Sequence, residues 1–187
     1  MKGMVFTEFL EMVEENFGWE VAEDIVDESD LPSGGAYTSV GTYDHNEMVA
    51  MVVVLSEKTG VAIPDLLKAY GKYLFGRFNQ LYGTFFEGVD GTFEFLSSID
   101  QYIHVEVKKL YPEAELPKFD YEHPDDNTLV LIYSSSRPFA DFAEGLLMGC
   151  LDHYGESITL EREDLNEANG KEAKFTLVRV PQSVAAD

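Results

Sequence analysis

Two sets of residues have the type and spacing to do chemistry. The first is Tyr133-Ser134-Ser135-Ser136-Arg137, four hydroxyls and a guanidinium at the end of the apolar run Leu129-Val130-Leu131-Ile132. Along an extended strand, residues 133, 135 and 137 project to one face. Tyr133, Ser135 and Arg137 would then aim two hydroxyls and a cation at one spot. Arginine grips a carboxylate bidentately through charge-assisted bonds, and hydroxyls add further donors. The plainer alternative is a polar strand end with Arg137 in a surface ion pair, because 35 Asp and Glu outnumber 13 Lys and Arg. The second set centres on His104, in FEFLSSIDQYIHVEVKKLY. It borders an expected apolar stripe of Phe93, Leu96, Ile99, Ile103, Val107 and Leu110, with Asp100 one turn back. Such a histidine is either a hydrogen-bonded core side chain or an imidazole held out toward a cofactor.

One cofactor would use both sets. Neutral imidazole is the commonest protein donor to iron, and a haem needs a single axial protein ligand. Its two propionates need the kind of donors that Tyr133, Ser135 and Arg137 offer. A haem-free module in which these three hold another carboxylate or a phosphate is the alternative function. Catalysis has less to stand on. Cys150 and His153 lie three apart on one helix but lack a third orienting group, and Ser134 to Ser136 lack the Gly-x-Ser-x-Gly elbow. The chain is therefore read as a non-enzyme.

The elements that must position these residues change character near Pro117. Before it the period is helical. Val5, Phe6, Phe9, Leu10, Val13 and Phe17 recur at three and four, with Gly18 as a stop. Trp19 to Val26 repeats the pattern, and Asp44 or Asn46 can cap a helix through Met48 to Lys58 that Gly60 closes. Pro64 opens the next helix, with Leu66, Leu67, Tyr70, Leu74, Phe75 and Phe78 on one face. Gly71 within it is either a hinge or a point of close helix packing. One long helix is predicted from about Thr92 to Leu110. After Pro117, KFDYEH, TLVLIYSS, SITLERE and AKFTLVRV read as strands, with a helix from Pro138 to about Tyr154 between the second and third. Asn169-Gly170 signals an antiparallel hairpin of the last two. The fold class is α+β: a helical N-terminal subdomain joined to a C-terminal subdomain with an antiparallel sheet of about four strands and packed helices.

Composition narrows the partners. Hydrophobic residues make up 45% of the chain, enough for a sizeable core. The net charge of −22 argues against nucleic acid and against an anionic membrane surface. No run approaches the roughly 18 apolar residues of a membrane span. The Glu-laced start is unlike a signal peptide, and one cysteine rules out a disulfide framework, so a cytoplasmic location is expected. Cys150, within an apolar helix stretch, reads as a small buried hydrophobe.

The opening Met-Lys-Gly, the helix bearing one histidine, a proline a dozen residues later, and Tyr-x-Ser-x-Arg with a helix carrying EGLLMG after it together resemble H-NOX domains. These are the haem nitric oxide/oxygen binding domains related to the sensor region of soluble guanylate cyclase, here of the stand-alone bacterial type. The resemblance covers roughly Met1 to Val180 and implies a single haem domain over residues 1–180. Residues 1–62 would be a distal helical subdomain, 63–180 a haem-anchoring α/β subdomain, and 181–187 a tail, with one haem b per chain between the subdomains. It implies that His104 is the proximal iron ligand, that Tyr133, Ser135 and Arg137 grip the propionates, and that Pro117 presses the porphyrin from planarity.

The resemblance also bears on which gas is bound. Oxygen-binding relatives place a distal tyrosine on the helix after Tyr-x-Ser-x-Arg, and the matching residue here is Phe142. Their supporting Trp and Asn correspond to Phe9 and Leu74. Val5, Phe9, Leu74, Phe78, Phe142 and Leu146 would make a distal pocket without donors, which favours nitric oxide over oxygen, with carbon monoxide as a further ligand. Nitric oxide is expected to weaken or break the bond from iron to His104, relaxing strain held by Pro117 and shifting the helical half. Stand-alone relatives usually act on a histidine kinase or a diguanylate cyclase, so one of these is the implied partner. The zinc cluster of some relatives is not expected, because RPFADF and LNEANGKEAKF hold neither Cys nor His.

Overall fold

A computed structural model describes residues 1–165 and 169–180. Four helices come first: α1 (Gly3–Phe17), α2 (Trp19–Glu28), α3 (His45–Thr59) and α4 (Ile63–Leu81). Their ends obey local chemistry. Gly18 ends α1 at φ 93°, the Asp44 carboxylate accepts the Asn46 N–H ahead of α3, and Gly60 closes α3 at φ 73°. Pro64 sits in the first turn of α4. Phe6, Phe9 and Val13 of α1, Met51 and Leu55 of α3, and Leu66, Tyr70 and Leu74 of α4 close one core.

The predicted helix from Thr92 to Leu110 is broken into three. α5 (Thr92–Ser97) passes into a π-helical turn over Ile99–Ile103, from which α6 (His104–Leu110) continues. The N–H of Ile103 reaches back five residues to Ser98 O at 3.4 Å, and that of His104 reaches Ile99 O. A π-turn adds one residue to the helical path and so rotates α6 relative to α5. Phe93 and Leu96 are buried and Ile99 and Ile103 pack against the same core, but Leu110 is 59% exposed. The apolar stripe expected from period 3.6 therefore does not reach Leu110.

The C-terminal half is a four-stranded antiparallel sheet in the order β1-β2-β4-β3, with β1 (Lys118–Asp125), β2 (Thr128–Ser134), β3 (Ile158–Asp164) and β4 (Glu172–Arg179). Helix α7 (Ala140–Tyr154) lies between β2 and β3 in sequence. Inward residues alternate: Leu129, Leu131 and Tyr133 of β2 pair with Leu177, Phe175 and Ala173 of β4. They pack with Ala143, Leu147 and Cys150 of α7 and with Phe93, Phe95 and Leu96 of α5 in a second core. Gly170 takes φ 67° ahead of β4, as the Asn-Gly signal implies. The architecture is mixed α+β. The tail expected at 181–187 lies outside the described residues.

Helices α4 and α7 carry the contact between the two cores. Phe75 of α4 belongs to the second core although its neighbours Tyr70 and Leu74 belong to the first. Phe139, just before α7, belongs to the first although the helix lines the second.

Candidate functional site

His104 is the first residue of α6, and its side chain is 17% exposed. Its Nδ1 lies 2.6 Å from Oδ1 of Asp100, a residue of the π-turn. The other carboxylate oxygen, Oδ2, accepts the Phe119 N–H at 3.0 Å. Burial pushes the imidazole below its ordinary pKa, and the Asp100 carboxylate opposes that shift. A neutral ring with a carboxylate at Nδ1 carries its proton there, which leaves the Nε2 lone pair as a donor. Among the described residues Nε2 has no hydrogen-bond partner.

On the sheet side, Tyr133 is buried near the end of β2. The strand stops at Ser134, so Ser135 and Arg137 lie in the turn beyond it rather than on the strand as expected. The Ser135 N–H donates to Lys171 O at 2.9 Å, and its Oγ accepts the Arg137 N–H at 3.1 Å. That side-chain turn reproduces the alternation the strand would have supplied: Ser135 and Arg137 are half-buried and Ser136 is exposed. Burial pushes the Tyr133 phenol up, while the Ser135 hydroxyl and the Arg137 cation pull it back. The Arg137 side chain is 15% exposed, and Nη2 holds Glu115 Oε2 at 2.5 Å although that glutamate is 73% exposed. So the ion pair of the plainer reading exists, but on a guanidinium that is mostly buried.

Phe119 joins the two sides. Its ring centroid lies 6.2 Å from that of His104 and 5.4 Å from that of Tyr133, its pairing partner across β1 and β2. No hydrogen bond or ring contact among the described residues runs directly from His104 to Tyr133, Ser135 or Arg137. Pro117 is half-buried two residues before Phe119.

The distal residues gather in the first core. Phe9 and Leu74 are buried, and Val5, Phe78, Phe142 and Leu146 pack against them. Sequence reasoning missed Tyr70 here, although it placed the residue on the same apolar face of α4 as Leu74. The Tyr70 ring lies 5.2 Å from Phe9 and 5.1 Å from Phe142. This wall does contain a phenol, then, but its hydroxyl donates to Val5 O. Burial pushes the Tyr70 phenol far up, so it keeps its proton. Asp100 and Phe119 were also legible only as neighbours, since nothing local announces that one carboxylate reaches both a histidine and a strand. Cys150 is fully buried and burial pushes its thiol well up, which leaves little thiolate.

The donor set fits a haem. A neutral imidazole with its far nitrogen anchored to a carboxylate is the usual form of a metal-bound histidine. A mostly buried guanidinium with two hydroxyls beside it suits propionates.

A family model described as Haem-NO-binding matches residues 2–162. Among solved structures, the unliganded Fe(II) H-NOX protein from K. algicida is 39% identical, with a TM-score of 0.91 and 100% of each chain covered. The IWP-051-bound H-NOX from Shewanella woodyi in the Fe(II)CO state is 42% identical, with a TM-score of 0.83, covering 100% of this chain and 97% of that one. The S. oneidensis H-NOX protein in the Fe(II)NO state is 26% identical, with a TM-score of 0.89, over 97% of this chain and 100% of that one. A comparison with curated proteins finds no match.

Proposed function

The chain belongs to the haem-NO-binding family, the H-NOX proteins, and from that premise we propose that it is a nitric oxide sensor that excludes oxygen and signals to a separate protein. The observation that carries the reading is His104: a mostly buried, neutral imidazole whose Nδ1 is held by Asp100 and whose Nε2 is free to bind iron. When bound, one haem b supplies ferrous iron with an open position for a diatomic gas. His104 would hold the metal through Nε2, while Tyr133, Ser135 and Arg137 would hold the propionates, with Arg137 exchanging its exposed Glu115 partner for one of them. Pro117, ahead of the Phe119 that packs near His104, would press on the porphyrin.

Selectivity comes from the distal wall. Bound oxygen gains from a hydrogen-bond donor, whereas nitric oxide binds ferrous iron without one. Phe142 offers no donor, and the Tyr70 hydroxyl is committed to Val5 O. Relatives with nitric oxide or carbon monoxide on Fe(II) support these gases as the ligands.

Because His104 begins α6 and would hold the iron, a gas that weakens that hold would relieve a constraint on α6 and on Pro117. The helical part, residues 1–62, then shifts against the haem-anchoring part, residues 63–180, between two packings that ligand biases. The protein itself catalyses nothing; a cytoplasmic histidine kinase or diguanylate cyclase reads the change. A partner surface with a basic patch suits the net charge of −22.

The test is direct. Purified protein should show a strong Soret band, and the ferrous form should bind nitric oxide but remain unliganded in air. His104→Gly should hold haem only with added imidazole. A protein that takes up no haem would end the reading in favour of a haem-free anion-binding module, and a stable oxygen complex would end the selectivity.

A further inference from the structure

The Asp100 carboxylate makes two bonds to different parts of the molecule. Oδ1 accepts from His104 Nδ1 at 2.6 Å, and Oδ2 accepts the backbone N–H of Phe119 at 3.0 Å. Asp100 lies in the π-turn and His104 follows four residues on, so carboxylate and imidazole sit side by side on one face of the helix. Both oxygens are used, so the carboxylate cannot turn with the histidine without straining its hold on the strand. Phe119 pairs with Tyr133 across β1 and β2, and its ring lies near both His104 and Tyr133.

We infer that Asp100 is a positioning residue for His104, fixing which ring nitrogen faces the metal, and that it carries displacement of that histidine into β1 through the Phe119 amide. The inference rests on the proposed haem function for its metal, but not for its hydrogen bonds. A carboxylate at Nδ1 fixes the tautomer and raises the basicity of the other nitrogen, and partners of this kind typically matter about 10-fold or more in metal affinity. Displacing His104 leaves Asp100 two courses: release the imidazole or pull on the start of β1. Only the second reaches the strand beside Tyr133, and it does so without passing through the distal helices.

Asp100→Asn and Asp100→Ala separate the possibilities. Asn keeps the shape but can satisfy only one of two donors, and Ala removes both bonds. In the ferrous, unliganded protein the iron–histidine stretching frequency should fall in Asp100→Asn and fall further in Asp100→Ala. Haem affinity should drop on the order of 10-fold. In protein without haem, nitrogen chemical shifts should place the His104 proton on Nδ1 in the parent and lose that preference in Asp100→Ala. Hydrogen exchange at the Phe119 amide should quicken about tenfold, as expected for losing one bond to a charged acceptor. An unchanged stretching frequency, or an unchanged tautomer and Phe119 exchange rate in a folded variant, overturns the inference. Should Asp100→Ala not fold, Asp100→Asn gives the same readouts. If the parent takes up no haem, the functional reading fails, while tautomer and amide exchange still decide the role of Asp100.

Discussion

Gly71 of α4 and Gly145 of α7 meet backbone to backbone. A Cβ on Gly71 would lie 2.2 Å from Phe142 O and 3.0 Å from the Gly145 carbonyl carbon, and one on Gly145 would lie 2.1 Å from Lys68 O. Of the two roles open to Gly71 in sequence, hinge or close contact, this geometry describes the second. The same crossing sets Phe142 against Tyr70. Gly145→Ala must push the helices apart, because backbone cannot give way as a side chain does. We expect a loss of about 1–3 kcal/mol, typical of overpacking, read as a lower thermal midpoint.

Arg137 is mostly buried, yet its acidic partner Glu115 is exposed. Arg137→Ala should therefore cost little stability but weaken haem retention. A charge-assisted bond contributes about 1.5–3 kcal/mol, which corresponds to roughly 10- to 100-fold in affinity. Arg137→Lys should recover only part of this, since an ammonium lacks the planar fork that matches a carboxylate. Haem transfer to an acceptor protein measures both.

A donor in the distal wall should change the gas. Phe142→Tyr places a phenol beside Tyr70 and should give the ferrous protein a measurable oxygen complex in its visible spectrum. A single neutral hydrogen bond accounts for about 0.5–1.5 kcal/mol, or up to about tenfold in affinity. Tyr70→Phe removes a hydroxyl already committed to Val5 O and should cost about 1 kcal/mol of stability without admitting oxygen.

The Glu156 carboxylate accepts the Thr92 N–H at 2.6 Å at the start of α5 and faces Arg179 at 3.5 Å. Burial pushes its pKa up, but these partners outweigh burial and hold it below 4.5. A carboxyl depressed on folding stabilises above its unfolded pKa, and that contribution is lost as pH falls from about 4.5 through the folded value. Glu156→Gln should thus be less stable than the parent by on the order of 1–2 kcal/mol at neutral pH. The two should converge once pH falls below the depressed folded value, as denaturant midpoints across pH would report.

Sequence by itself determined the features whose causes are local. Gly18, Gly60, Asp44 and Pro64 bound their helices because a cap needs only neighbouring atoms. The strands of the C-terminal half were legible because inward residues such as Leu129, Leu131 and Tyr133 must alternate to reach one core. The types of the candidate ligands, His104 and Arg137, were equally plain. Tertiary structure decided what those residues meet. The helix through Asp100 breaks into a π-turn where its carboxylate bonds a strand nineteen residues away, a contact no periodicity encodes. The phenol of Tyr70 joined the distal wall because α4 crosses α7 at two glycines, and its proton is spent on α1. Identity of a side chain fixes what it can donate; only packing fixes which acceptor gets there first.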